Sequence, residues 1–317
     1  MTARSRLPVL GGLGRIARLT GVEITKLFAH KFFPFTLIAT VVVALGLGLA
    51  GMQFARTATM GSGSSFTNYG LWVVTSSFAL RLGTVLLMVL GAMSVAGEAT
   101  ARTLNTMLAR PFHRYEFLAA KVLSLVFATV LVVLAAGATG FVMGGTVPPR
   151  EAQKRMVVAG GESRLEATGW SFPSYGDLVD PSYPEVKIAS YGRVMGDILF
   201  GFALLTVPTL AGACIGFLFG VLFDSAALAI GLTVALFVLL EAFKVLLILG
   251  EAFSLFHDFV GRFGYTEVVN RITGIMVDAG TGRPWEEVLA GVQVCAFYIL
   301  GCLVLSFLVF CRRDVSL

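Results

Sequence analysis

The chain has 317 residues, 56% of them apolar and 14% charged, well below the roughly 25% charged content of soluble domains. That balance excludes a soluble globular domain and marks an integral membrane protein, and a formal net charge of +5 is explained by topology without nucleic acid. Cys214, Cys295, Cys302 and Cys311 all fall in or at the end of apolar runs, so neither a disulfide scaffold nor a Cys-rich metal site is indicated. His30, His113 and His257 are too scattered to build a metal site.

In chain order, residues 1–31 come first. The stretch LGRIARLTGVEITKLFAHKFF sets Leu13, Ile16, Ile24, Leu27 and Phe28 at helical spacing beside Arg15, Arg18, Lys26 and Lys31. This pattern predicts a basic amphipathic helix lying in the cytoplasmic interface. The first apolar run begins too late for a cleaved signal peptide. Six runs have the length that crosses a hydrocarbon core, about 20 residues each: 32–52, 74–97, 122–144, 194–222, 226–249 and 288–311. The predicted fold class is therefore an all-α integral membrane protein with six transmembrane helices in one domain spanning residues 1–317. Pro34 suits the first turn of span one, and Pro208 predicts a kink in span four.

Six spans put both termini on one side. The 24 Lys and Arg residues divide equally between the two sides, twelve and twelve, so density near the span ends decides. Arg4, Arg6, Arg15, Arg18, Lys26 and Lys31, the loop residues Arg102, Arg110, Arg114 and Lys121, and the tail residues Arg312 and Arg313 mark the cytoplasmic face. Between spans two and three lies the cytoplasmic loop 98–121. Residues 145–193, with five prolines and mixed charge, form the largest external insertion. Asp224 and Ser225 sit in a tight cytoplasmic hairpin between spans four and five. Residues 250–287 are too polar to span and long enough for two short external helices dipping into the outer interface.

The loop GEATARTLNTMLARPFHRYEFLAAK is too polar for the bilayer and rich in helix formers. Read as a helix it groups Leu104, Met107 and Leu108 on one face, and Pro111 stops it by removing a donor and disfavouring helix at Arg110. Glu98, Arg102-Thr103-Leu104, Met107-Leu108, Arg110-Pro111, Arg114, Glu116-Phe117 and Ala120-Lys121 together resemble the cytoplasmic loop of type-2 ATP-binding-cassette (ABC-2 type) permease subunits. Met107 stands where that pattern has leucine, and Ala120 where it has glycine. The resemblance extends over the chain: an N-terminal interfacial helix, six spans, a tight hairpin between spans four and five, and re-entrant external helices before the last span.

The resemblance implies that the loop is a coupling helix seated in a groove of a separate ATPase. Its coupling residues would be Glu98, Arg102, Thr103, Leu104, Leu108, Arg110, Pro111, Arg114, Glu116 and Lys121. It also implies two copies of a cytoplasmic ABC ATPase, a second permease subunit forming a homodimer, and residence in a bacterial or archaeal cytoplasmic (inner) membrane. No catalytic residue or cofactor is expected on this chain. It carries no GxxxxGK[ST] loop, and DAGTGRPWEE lacks the lysine and hydroxyl of one, so ATP and Mg belong to the partner ATPase.

Charges inside or near the outer ends of spans predict an outer polar network or substrate path: Arg81, Asp197, Glu241 and Lys244. Glu241 and Lys244 share a helix face at i, i+3, and intramembrane charges face protein or water. Membrane lipid is the surrounding solvent. A non-transporting use of the same machine, driving an external or periplasmic partner through residues 145–193, is one alternative, and the alternative from another class is a carrier or enzyme. A non-ABC carrier or membrane enzyme would show similar halves or clustered carboxylates, and neither pattern is visible. The sequence does not name the substrate.

Overall fold

The computed structural model describes residues 10–58, 68–101, 114–146, 175–179, 187–249, 265–277, 279 and 285–312. The helices in this set are α1 (Leu10–Ala29), α2 (Phe32–Ala58), α3 (Asn68–Thr100), α4 (Arg114–Gly145), α5 (Tyr191–Leu222), α6 (Ala226–Leu249), α7 (Tyr265–Val277) and α8 (Glu286–Arg312). The all-helical expectation needs one correction: β1 (Leu178–Val179) and β2 (Lys187–Ala189) form a short antiparallel pair with Leu178 opposite Ala189. The pair closes the end of the 145–193 insertion, where backbone groups outside any helix must still find partners.

Five stretches are long and apolar enough to cross a membrane: Phe32–Gly51, Asn68–Thr100, Arg114–Gly145, Tyr191–Leu222 and Val288–Arg312. In α6 the described side chains give a shorter apolar stretch, Ala226–Ala242. α3 is the hub, packed against α2, α4, α5, α6 and α7. Its contact with α5 is backbone against backbone. A Cβ on Gly216 would run into the Met88 carbonyl, and one on Gly91 into the Ala213 carbonyl. Small residues four apart allow this approach, which supplies packing where lipid offers no hydrophobic drive. α5 runs through the buried Pro208 as one helix.

The end of the α3–α4 pair away from the 102–113 loop is pinned by aromatic side chains. Trp72 Nε1 donates to the Gly137 carbonyl at 2.8 Å, and Ser76 Oγ donates to the Ala136 carbonyl at 3.1 Å. The Trp72 ring lies 5.1 Å from Phe141, 5.7 Å from Tyr175 and 5.7 Å from Phe202. Tyr175 Oη donates to the Phe141 carbonyl and Tyr69 Oη to the Gly176 carbonyl, both at 2.8 Å. Burial pushes the Tyr175 phenol well above its ordinary range, with the nearby Tyr69 and Tyr191 adding to it. Asp177 Oδ1 accepts the Tyr191 amide at 2.7 Å, capping α5 from outside because Ser190 makes no side-chain cap of its own.

α7 lies alongside α3 in the opposite direction, since Asn270 meets Arg81 while Thr273, one turn on, meets Ser77, one turn back. Its apolar side, Val268, Val269, Ile272 and Met276, is buried. Gly201 of α5 leaves room for the Met276 side chain.

Candidate functional site

The loop between α3 and α4 has two roots, and the structure ties them together. Glu98 stands in the last turn of α3; Glu116, Phe117 and Lys121 stand in the first turns of α4. Lys121 is 3% exposed and donates to Glu98 Oε1 and to Glu23 Oε2, each at 3.0 Å. Lys26 closes the ring, 2.7 Å from Glu23 Oε1 and 3.3 Å from Glu98 Oε1. Two ammonium groups thus alternate with two carboxylates across α1, α3 and α4. A buried ammonium is tolerable only when paired in this way.

Both α1 members of the ring show the balance of forces. Burial pushes the Glu23 carboxyl up, but the charges and hydrogen bonds of Lys121 and Lys26 together outweigh it, and its pKa is lowered from the ordinary value of 4.5. Burial pushes Lys26 down, but Glu23 and Glu98 outweigh it, and its pKa is raised from 10.5. Glu23 and Lys26 are therefore both held charged near neutrality.

Further contacts widen this into a platform. Arg15 Nη2 of α1 sits 3.2 Å from Oε1 of the fully buried Glu116. The Lys121 ammonium lies 4.9 Å from the Phe117 ring centroid, and Phe117 stacks on Phe310 near the end of α8. Arg114 Nη1 donates to the Cys311 carbonyl at 3.3 Å. On the α3 side, Thr100 Oγ1 accepts the Ala226 amide and lies within donating distance of the Asp224 carbonyl, both at 3.0 Å. The leading root is thereby clipped to the α5–α6 hairpin, and the trailing root to α8. α1 grips both.

Of the residues named from the sequence, Glu98, Arg114, Glu116 and Lys121 belong to this platform. Arg102, Thr103, Leu104, Leu108, Arg110 and Pro111 lie outside the described residues, as does the predicted helix that contains them. Arg81 donates to Asn270 Oδ1 of α7, a partner that sequence reasoning did not name. Asp197 on α5 and Glu241 on α6 are half-buried, and the Lys244 side chain is outside the described residues. Glu23 and Lys26 were also missed as functional residues. Their only sequence signal was an acid three positions before a lysine on an otherwise basic helix.

The platform holds no nucleophile–base pair, and its chemistry is that of a mechanical joint: paired charges that fix four elements around one loop. Residues 19–151, which contain α2 to α4 and most of α1, match the family model described as ABC-2 family transporter protein. No curated protein matches the chain. Over those residues the chain is thus similar to an ABC-2 family transporter protein, and its five long apolar helices suit a multi-pass membrane protein.

Proposed function

We propose that this chain, similar to ABC-2 type permeases over residues 19–151, is the membrane-spanning subunit of an ATP-binding-cassette exporter. The observation that carries the reading is the ring of Glu23, Lys26, Glu98 and Lys121, which binds both roots of the 102–113 loop to one interfacial helix. A loop gripped at both ends passes a push from a docked ATPase into α3 and α4 instead of absorbing it as local flexing. The Thr100 clip and the Phe117–Phe310 stack extend the push to α5, α6 and α8. ATP and Mg are bound and used on two copies of the partner ATPase, and two permease chains form the path between them.

In this reading the platform is cytoplasmic, both termini lie on its side of a bacterial or archaeal inner membrane, and α6 is the sixth span. α7 is the outgoing arm of a re-entrant pair. Support for that arm comes from its antiparallel register on α3, which carries residue 270 to the depth of Arg81. A second reading, ATP-driven work on an external protein, draws on the Tyr69, Tyr175 and Asp177 contacts that fasten the 145–193 insertion to the bundle.

Co-expression with a candidate ABC ATPase, sought among the neighbouring reading frames, tests the function. The wild type should co-purify with that ATPase and stimulate it, whereas Arg102→Ala should leave insertion intact and lower both. A normal complex with full stimulation in Arg102→Ala would remove the 102–113 loop from the coupling route.

A further inference from the structure

Between Tyr69 and Gly97, Arg81 is the sole charged residue. Whichever twenty or so consecutive residues of that stretch cross the hydrocarbon, Arg81 is among them. A cation at such a depth persists only where something answers its charge. Its contacts among the described residues are neutral. The guanidinium donates to the Asn270 side-chain oxygen and lies 5.2 Å from the Phe78 ring centroid. Asn270 in turn donates to Glu267 Oε2 at 3.2 Å, so the nearest described carboxylate on that chain of contacts is one amide removed. Glu267 also sits 3.9 Å from Arg271 Nε. Of five N–H donors on an arginine, one is used by Asn270.

α3 is otherwise the hub of the bundle, and its least covered strip runs through Val74, Phe78, Arg81, Leu82, Val85 and Val89. Phe78 and Arg81 are its two exposed members, and the rest is apolar and half-buried. A guanidinium fork set within an apolar strip has two complements in one molecule. The fork suits the paired oxygens of a phosphate or carboxylate, and the strip suits an alkyl chain.

We propose that Arg81, oriented by Asn270 and Phe78, binds the headgroup of an anionic amphiphile whose chain lies along the exposed strip of α3. The assignment of that molecule to the transport path rests on the permease reading, while the binding itself requires no ATPase. Failure of one is therefore distinguishable from failure of the other.

The test is equilibrium binding of radiolabelled dodecyl phosphate to the purified full-length chain in neutral maltoside detergent. Binding to the wild type should be saturable and displaced by dodecanoate, but displaced neither by inorganic phosphate nor by dodecylphosphocholine. Arg81→Gln should weaken it about tenfold or more, which is about 1.4 kcal/mol or more. Arg81→Lys, which keeps the charge and loses the fork, should fall between the two and guards against a folding defect in the glutamine variant. Arg18→Gln on the basic helix α1, combined with Lys31→Gln in the turn after it, should leave it unchanged. Equal binding by wild type and Arg81→Gln would overturn the site, as would displacement by inorganic phosphate at matched concentration. Absence of binding together with dissociation of a dimer in Arg81→Gln would give Arg81 to a carboxylate of a second copy and overturn it too.

Discussion

Replacing Lys121 with methionine keeps the length of the side chain and removes the charge that holds the platform. In the native chain its ammonium is 3.0 Å from both Glu23 Oε2 and Glu98 Oε1. Without it two carboxylates, 11% and 18% exposed, share Lys26, which is itself 37% exposed and already bonded to both. Breaking a buried ion pair from one side costs about 3–5 kcal/mol, and the surviving Lys26 contacts favour the lower end. The expected loss is therefore about 3 kcal/mol of unfolding free energy, measured by reversible denaturation in mixed micelles. Adding Glu98→Gln to Lys121→Met removes one stranded carboxylate and should restore about 1–2 kcal/mol, a non-additivity that a double-mutant cycle reads directly. A neutral single variant, or single effects that simply add, would refute the ring as a coupled unit.

Two further outcomes follow from the packing and the charges. Gly216→Val places branched carbon against the Met88 carbonyl and should destabilise the α3–α5 pair by about 3 kcal/mol or more, as overpacking at a backbone contact does; Gly231→Val on α6, where a Cβ meets nothing within 4 Å, should change stability far less in the same melting assay. For α1, the lowered Glu23 pKa gives a contribution present above 4.5 and lost as pH falls through the folded value, while the raised Lys26 pKa gives one present below 10.5 and lost as pH rises through its folded value. Protection factors against hydrogen exchange over residues 10–29 should therefore stay flat between those limits and fall beyond them, and a release of α1 centred near pH 7 would contradict the assignment.

Hydrophobic runs set the long helices well, because in lipid every backbone group must be satisfied within a helix and length alone fixes the span. The described helices overrun those runs: α3 extends from Asn68 to Thr100 where the apolar stretch began at residue 74. Polar but helix-compatible residues continue a helix into the interface without showing in hydropathy. Glu98, Glu116 and Lys121 were legible through a local pattern. Their partners were not, since Lys26 and Glu23 lie 72 and 98 positions away in sequence from Glu98 and Lys121, and no periodicity encodes such pairings. Asn270 was invisible for another reason: a neutral amide in a polar segment looks like solvent-facing surface until α7 is laid against α3. The spacing of Gly212, Gly216 and Gly220 was not read from the sequence as a helix contact, and the structure sets all three against α3.

The glycine contact between α3 and α5 has a mechanical meaning for the proposed transporter. With no side-chain layer between the backbones at Gly91 and Gly216, that point resists sliding and serves as a fulcrum. Gly91 is nine residues from Thr100 and 23 from Asn68, about 13 Å and about 35 Å of helix at 1.5 Å per residue. α4 travels with α3, held by Lys121–Glu98 at one end and by Trp72 and Ser76 at the other. A sideways push of about 1 Å at the loop end thus becomes a swing of roughly 2.5 Å at the far end. The short arm faces the ATPase and the long arm faces the outside, so this lever trades force for displacement in the direction an outward-opening gate requires.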